Sequence, residues 1–227
     1  MSPARARTSQ TDIVVAGREL LEAGGLDAVT MLAVAERVGV RAPSLYKRFA
    51  DRGALIGAIG SAALADLTAA LEPFVRDPDP ASGLLKTASA FRAFAKANPH
   101  AYELLFMNLP PGSRPPAELN ASAAAPLLEV TERLVGSERA LEAARLMTAF
   151  AHGFVSMEIS GAFRLGGDVD EAFRYGVKVL VDALMDSRTD RREASVGPIL
   201  RVRDHQLTVM PEAKQFKTCF SPSHQFA

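Results

Sequence analysis

The chain of 227 residues has no tryptophan and a single cysteine, Cys219. One thiol makes no internal disulfide, so a stapled secreted scaffold is excluded and the composition suits a reducing, cytoplasmic setting. Net charge is also lacking: 26 Lys and Arg balance 26 Asp and Glu. A partner attracted by charge must therefore meet a local patch rather than the whole surface. No apolar run reaches the roughly 18 residues of a membrane span. Charges such as Asp66, Arg92, Glu142 and Glu158 interrupt the long apolar helices, and no membrane partner is expected. The N-terminus, MSPARARTSQ, is basic and polar but leads into no apolar signal region. HExxH, GxSxG, a phosphate-binding glycine loop and a clustered Cys/His set are all missing, and His100, His152, His205 and His224 are scattered. No metal site and no cofactor are expected. Strand alternation and internal repeats are absent too. What remains is 48% hydrophobic, mostly Ala, Leu and Val, which favours helices and supplies ample core. The expected fold class is all-α.

The most informative stretch runs from Thr30 to Phe49, TMLAVAERVGVRAPSLYKRF. Val34, Ala35 and Val38 share one face of a first short helix, about Thr30 to Val38. Gly39 follows where a helix stop needs a left-handed residue. Val40 turns back inward, and Pro43 stands in the first turn of the next helix, where its missing N–H costs nothing. Leu45 and Phe49, four apart, are that helix's apolar face. Small Ala35, then Gly39, then apolar Leu45 is helix-turn-helix spacing. Between Arg37 and Ala50 there is no acid, while Arg37, Arg41, Lys47 and Arg48 are basic and Arg52 follows. On a neutral chain this is a local positive face suited to a phosphate backbone. The plainer alternative is a helical hairpin with a solvated basic face.

The flanks extend the pattern. DIVVAGRELLEAGGLDAV, from Asp12 to Val29, is an amphipathic helix closed by Gly24 and Gly25, with Ile13, Ala16, Leu20 and Leu21 set to pack on the two-helix unit. Downstream comes LYKRFADRGALIGAI. The succession A-x-x-L-L-x-x-x-G-L, T-x-x-x-V-A-E-R-V-G-V and L-Y-x-x-F-x-x-R-x-x-L, over about Asp12 to Ile59, resembles the DNA-binding domain of TetR/AcrR transcriptional regulators. The resemblance implies that a recognition helix, about Ala42 to Phe49, enters the major groove. It implies a backbone contact at Tyr46 with Lys47 beside it, and a phosphate clamp at Arg52. Thr30 would cap the first motif helix and reach a phosphate, and Phe49 would be core. Two positions depart from the family pattern. Arg41 stands where Ser or Thr often opens the recognition helix; it cannot cap as they do but can reach a guanine edge or a phosphate. Arg48 replaces a common histidine and adds charge near the backbone. The DNA-binding set is thus Thr30, Arg41, Ala42, Pro43, Ser44, Tyr46, Lys47, Arg48 and Arg52. Leu32, where a polar residue is common, has no account.

The rest reads as helices over about Asp51–Leu71, Leu84–Ala97, His100–Asn108, Ala117–Val135, Ser137–Phe163 and Val169–Met185, the last capped by Asp168 or Asp170. The proline-rich stretches PFVRDPDPASG and LPPGSRPP separate them. The expected organisation is a flexible arm (1–10), a three-helix head (11–56), a helical-bundle body (57–186) and a tail (187–227). The tail mixes Arg191, Arg192, prolines and isolated aromatics without sustained periodicity and is expected to be disordered or loosely attached.

LMTAFAHGFVSMEISG, from Leu146 to Gly161, followed by FRLGGDVDEAFRYGVKVLVDAL, resembles a regulatory domain of part of the same family, with a His-Gly pair and a later Glu at His152, Gly153 and Glu158. The Trp that often precedes that pair is missing. This resemblance implies a homodimer through the last two long helices, with Gly153, Ser156 and Gly161 allowing close approach and Ala149, Phe154, Met157 and Ala162 filling the seam. An intrachain core of the same composition is the alternative. It also implies a ligand cavity ringed by Phe91, Phe94, Tyr102, Phe106, Met107, Phe150 and His152, though such aromatics are more often plain core. The expected function is a ligand-responsive DNA-binding transcriptional regulator of the repressor type. Its homodimer would bind a palindromic double-stranded operator, and a small, mainly apolar effector would release it. The alternatives are an all-helical enzyme using His152 with Glu158, and a ligand-binding adaptor without operator binding. Six residues apart on one helix, that His and Glu point to different faces, so no catalytic residue is assigned.

Overall fold

A computed structural model describes residues 8–195. Among these residues it has nine α-helices and no strand, as the composition and periodicity led one to expect. α1 (Gln10–Ala28) opens with a capping box: the Ser9 hydroxyl accepts from the Asp12 N–H at 3.0 Å, and the Asp12 carboxylate accepts from the Ser9 N–H at 2.8 Å. Its regular turns stop at Gly24 and Gly25, the latter with φ 69°. α2 (Met31–Arg37) is capped by Thr30, whose hydroxyl accepts from the Ala33 N–H at 3.1 Å. α3 (Ala42–Leu45) is a single turn with Pro43 in it. Ile13, Ala16, Leu21, Val34, Ala35, Leu45 and Phe49 are all buried together. The same core takes in residues from two further helices, α4 (Arg52–Val75) through Leu55 and Ile59, and α6 (Pro99–Phe106) through Ala101 and Leu104. The head is therefore rooted in the body and does not hang from a linker.

The body adds α5 (Pro80–Ala97), α7 (Ala117–Val135), α8 (Ala140–Ile159) and α9 (Val169–Ser195). Its core joins Leu67 and Leu71 to Leu84, Tyr102, Val130, Met147, Val155, Phe173 and Val177. Several boundaries differ from the sequence expectation, each for a local reason. α4 continues past Leu71 through Pro73 to Val75; the proline forgoes a single ladder bond, to the Ala69 carbonyl, and only two further residues follow it in the helix. Two of the carbonyls at and past that end, Val75 and Asp77, accept from Arg133 at 2.5 and 2.6 Å. α5 begins at Pro80 rather than Leu84 because Asp79 caps it through the Ala81 and Ser82 N–H groups. α8 stops at Ile159 rather than Phe163: Gly161 has φ 66°, its N–H donates to Glu158 and that of Ala162 to Met157, the paired bonds of a Schellman stop. α9 is capped by Asp168, not Asp170, and runs past Met185 to Ser195. The tail beyond 195 and the arm before 8 lie outside the described residues.

α4 is long and apolar enough to cross a membrane, which charge counting along the sequence did not anticipate. Half of its most apolar window is buried inside the protein, and its apolarity serves as the spine of two cores. One side of this spine is glycine. A Cβ at Gly53 would lie 2.7 Å from the Ser113 Oγ, one at Gly57 3.3 Å from the Arg114 carbonyl, and one at Gly60 3.2 Å from Pro115. The proline-rich segment between α6 and α7 is laid directly along that stripe.

Candidate functional site

The turn between α2 and α3 closes as its residues dictate. Gly39 sits at φ 72°, its N–H donates to the Glu36 carbonyl at 3.1 Å, and the Val40 N–H donates to Ala35 at 2.9 Å. A residue with a Cβ is strained at that φ, and the two bonds satisfy carbonyls that α2 would otherwise leave open. Arg41 precedes α3 in an extended conformation and makes no side-chain cap. The recognition element is shorter than the expected Ala42–Phe49. After Leu45 the chain tightens, with both Arg48 and Phe49 donating to the Leu45 carbonyl, at 2.8 and 2.9 Å. Such shared carbonyls mark the 3-10 tightening of a final turn.

Leu45 and Phe49 are buried, and this turns the residues between them outward. Arg41, Pro43, Ser44, Tyr46, Lys47 and Arg48 are exposed, Ala42 is half-buried, and Tyr46 is 54% exposed. Leu32 is exposed as well. Among the described residues Arg41, Lys47 and Arg48 have no ion-pair partner. Three cations are thus held together on one exposed face of the head, without an ion-pair partner among the described residues. Arg37 is different: its guanidinium is spent on Glu19 of α1 at 2.6 Å.

Arg52 is engaged within the chain. Its Nε donates to the Val29 carbonyl and one Nη to the Leu26 carbonyl, each at 2.6 Å. The side chain is half-buried, tying the start of α4 to the end of α1. The fork that suits a phosphate equally suits two carbonyls of a frayed helix end, and those carbonyls are nearer.

Two further links run from α1 into the body. Arg18 pairs with Asp66 of α4 and donates to the Asn98 side chain at 3.2 Å. The Glu22 carboxylate accepts from the His100 and Ala101 N–H groups at 3.2 and 2.9 Å, while its carbonyl meets the His100 ring at 3.1 Å. Asn98, at the cap position of α6, offers no side-chain cap, so a carboxylate from the head does that work.

Between α4, α5, α6, α7 and α8 lies a cavity of about 590 Å3. Its walls are Leu64, Leu67 and Leu71 of α4, Leu84, Ala88 and Phe91 of α5, Leu105 and Phe106 of α6, Ala124, Leu127 and Leu128 of α7, and Leu141, Met147 and Ala149 of α8. The polar groups are few: Thr87, Asn120, Arg145, Thr148 and His152. Of the seven residues expected here, Phe91, Phe106 and His152 line the space. Tyr102 stands behind it, 1% exposed, with its hydroxyl 2.6 Å from His152 Nδ1. Phe94 is body core, and Met107 is 45% exposed on the loop after α6. Phe150 faces α9 instead: a Cβ at Gly176 would lie 2.3 Å from its ring, and it stacks on Phe173 at 5.9 Å. Periodicity could not separate these aromatics, because core and cavity faces of one helix differ only by what the next helix places opposite. The aliphatic lining was missed for the same reason, since a leucine facing a cavity and one facing a core share the same helical spacing.

His152 and Glu158 do not meet. Burial pushes the His152 imidazole below its usual range, and its neighbours are Tyr102 and the stacked Phe106 ring at 4.1 Å. Glu158 instead binds Arg92 at 2.6 Å and Lys96 at 2.8 Å, which hold its carboxyl below the usual range. Asp170 joins them at 2.5 Å from Arg92, so this cluster ties α5, α8 and α9 together.

Of the residues expected at a dimer seam, Ala149, Gly153, Met157, Gly161 and Ala162 are exposed, and a Cβ at Gly153 would meet nothing within 4 Å. Ser156 is half-buried. Phe154 lies within an aromatic group of its own chain, 5.2 Å from Phe173 and 4.7 Å from Phe163. Gly161 and Ala162 form the helix stop described above. On α9, Tyr175 and Val179 are exposed at 72% and 46%.

Comparison with known proteins follows the same division. Residues 13–59 match the model of bacterial regulatory proteins of the tetR family, and residues 84–180 match that of the tetracyclin repressor-like C-terminal domain. The class A tetracycline repressor from transposon 1721 of Escherichia coli is 29% identical over 200 residues, covering 78% of this chain and 90% of the relative. An uncharacterised HTH-type transcriptional regulator of Mycobacterium tuberculosis is 29% identical over 188 residues, 81% of this chain and 84% of its own. In fold the chain resembles a protein of unknown function from Rhodococcus sp. RHA1, with TM-score 0.70, 21% identity, and coverage of 82% of this chain and 100% of that one. It also resembles a TetR variant from Acinetobacter baumannii AYE in complex with minocycline, with TM-score 0.61, 24% identity, and coverage of 80% and 99%. Helix-turn-helix head and helical body are each matched in their own right, and the chain belongs to the TetR family of transcriptional regulators.

Proposed function

We propose that the protein is a ligand-responsive repressor that binds a two-fold symmetric operator as a homodimer and is released by a small, mainly apolar effector. The observation that carries this reading is the double engagement of α6. At its N-terminus α6 is held by Glu22 of the head, and at its C-terminal end Leu105 and Phe106 form cavity wall. An occupant that displaces Phe106 works on the helix to which the head is fastened, and it shifts the head's placement by as much as it favours one arrangement over the other. Arg41, Lys47 and Arg48, with the exposed Tyr46, present the charge and hydrogen-bond donors that a DNA backbone and groove edge require. Thr30 and Ser44 lie close by as further donors, Ala42 and Pro43 set the turn, and Arg52 holds that face in place from behind.

One head reads few base pairs, and two related by symmetry read a palindrome. The exposed α8 and α9 faces around Gly153, Met157, Tyr175 and Val179 offer the seam. Ala149 and Ser156 flank it, while Phe154 stiffens it from beneath. Selection of bound duplexes from a random pool tests the proposal. It should enrich a two-fold symmetric sequence with half-sites about one helical turn apart. Enrichment of a single half-site, or none, would overturn it.

A further inference from the structure

The cavity's polar groups are unevenly placed. Its buried walls are aliphatic and aromatic, and among the described residues Arg145 is the one charged residue in the lining and no carboxylate lines it. Arg145, Leu141 and Thr148 of α8 and Asn120 and Ala124 of α7 belong to the exposed part of the lining, and we take them as the cavity's mouth. Among the described residues Arg145 has no ion-pair partner. The lining also holds His152. Its Nδ1 lies 2.6 Å from the Tyr102 hydroxyl, which also lies 3.5 Å from the His152 carbonyl. The site thus offers donors, one of them cationic, and an apolar interior of drug-sized volume.

We propose that the cavity takes an elongated apolar molecule bearing a single carboxylate, with the chain inside and the carboxylate at the mouth on Arg145. This rests on the reading of the cavity as the effector site and specifies its ligand. A guanidinium binds a carboxylate by two parallel hydrogen bonds, while an ammonium-bearing ligand would meet Arg145 as like charge with no carboxylate to offset it. A neutral chain gains the apolar contacts alone.

Calorimetric titration of the full chain with dodecanoate, dodecanol and dodecylammonium tests the assignment, in the parent and in Arg145→Leu, Arg145→Lys and Thr148→Trp. Arg145 and Thr148 are exposed, so these variants are expected to fold. Dodecanoate should bind about five- to tenfold more tightly than dodecanol, as a partly screened charge-assisted pair does. Dodecylammonium should bind least. Arg145→Leu should erase the preference for the acid without changing dodecanol, and Arg145→Lys should restore part of it. Thr148→Trp should weaken both. If dodecanoate and dodecanol bind alike, and Arg145→Leu alters neither, the cavity remains an apolar effector site and the carboxylate assignment is overturned. If no amphiphile binds, or Thr148→Trp leaves binding intact while minocycline also fails to bind, the cavity reading itself falls with it.

Discussion

Glu22→Ala is the sharpest probe of how head and body are joined. The parent carboxylate, 26% exposed, accepts two first-turn N–H groups of α6, from His100 and Ala101. Removing a helix cap costs about 1 kcal/mol, within a range of roughly 0.5–2. Removing a negative charge from a helix N-terminus costs about 0.3–1 kcal/mol more. Among the described residues no other side chain caps α6, and Asn98 makes no such bond. The sum is about 1–3 kcal/mol. For a protein of this size each kcal/mol lowers the melting temperature by about 2–4 °C, so the variant should melt roughly 2–12 °C lower. Far-UV circular dichroism at fixed protein concentration reads this directly. Glu22→Gln keeps one acceptor oxygen of the two and loses the charge, so its loss should be smaller than that of Glu22→Ala but not absent. The variant should also respond less to effector, because the link from α6 to the head is cut while the cavity is untouched. A melting temperature within about 1 °C of the parent for Glu22→Ala would refute the reasoning and leave the joint to the buried contacts of Ala101 and Leu104.

Gly176→Val should destabilise the protein by about 1–3 kcal/mol in urea unfolding, because even a Cβ there falls 2.3 Å from the Phe150 ring. Lys47→Ala should weaken binding to every duplex and lower the salt slope by about one, without changing the melting temperature. Arg52→Ala should lower the melting temperature as well, since its donors hold the Leu26 and Val29 carbonyls. Arg41→Ala should cost about 1–3 kcal/mol on the best operator and little on a duplex altered at one base pair, measured by fluorescence anisotropy. Glu158→Gln should cost about 1.5–3 kcal/mol at neutral pH. Its depressed folded pKa means the stability it contributes is present above its ordinary value of 4.5 and lost as pH falls through the folded value. The variant should therefore show a flatter acid limb in a melting series below about pH 5.

The helix-turn-helix was legible because its signals are local. Thr30 caps, Gly39 takes a positive φ, Pro43 enters a first turn, and none of these depends on residues far along the chain. Gly25 and Gly161 belong to the same class, although Gly161 reads as a close-approach glycine until its φ shows a helix stop. Gly53, Gly57, Gly60 and Gly176 were not legible as contacts. They matter because another segment comes close, and nothing in their neighbourhood says which segment that is. Arg52 illustrates the same limit for charge: the motif position implies a phosphate, but the end of α1 supplies carbonyls within its reach. The cavity was half legible. Phe91, Phe106 and His152 line the cavity, yet Phe94 and Phe150 sit on lining helices at angles set by partners the pattern does not name. Leu64, Leu67 and Leu71 read as core because α4 is a core helix everywhere except at the cavity.

The central claim is that a dimer's DNA grip is controlled from the cavity. The most direct measurement is the affinity of the selected symmetric duplex for the protein with and without saturating dodecanoate, repeated with Thr148→Trp. The account predicts two protomers per duplex, release of the parent on adding ligand, and a variant that holds DNA but no longer responds. Ligand bound in the cavity with DNA affinity unchanged, or one protomer per duplex, would contradict it.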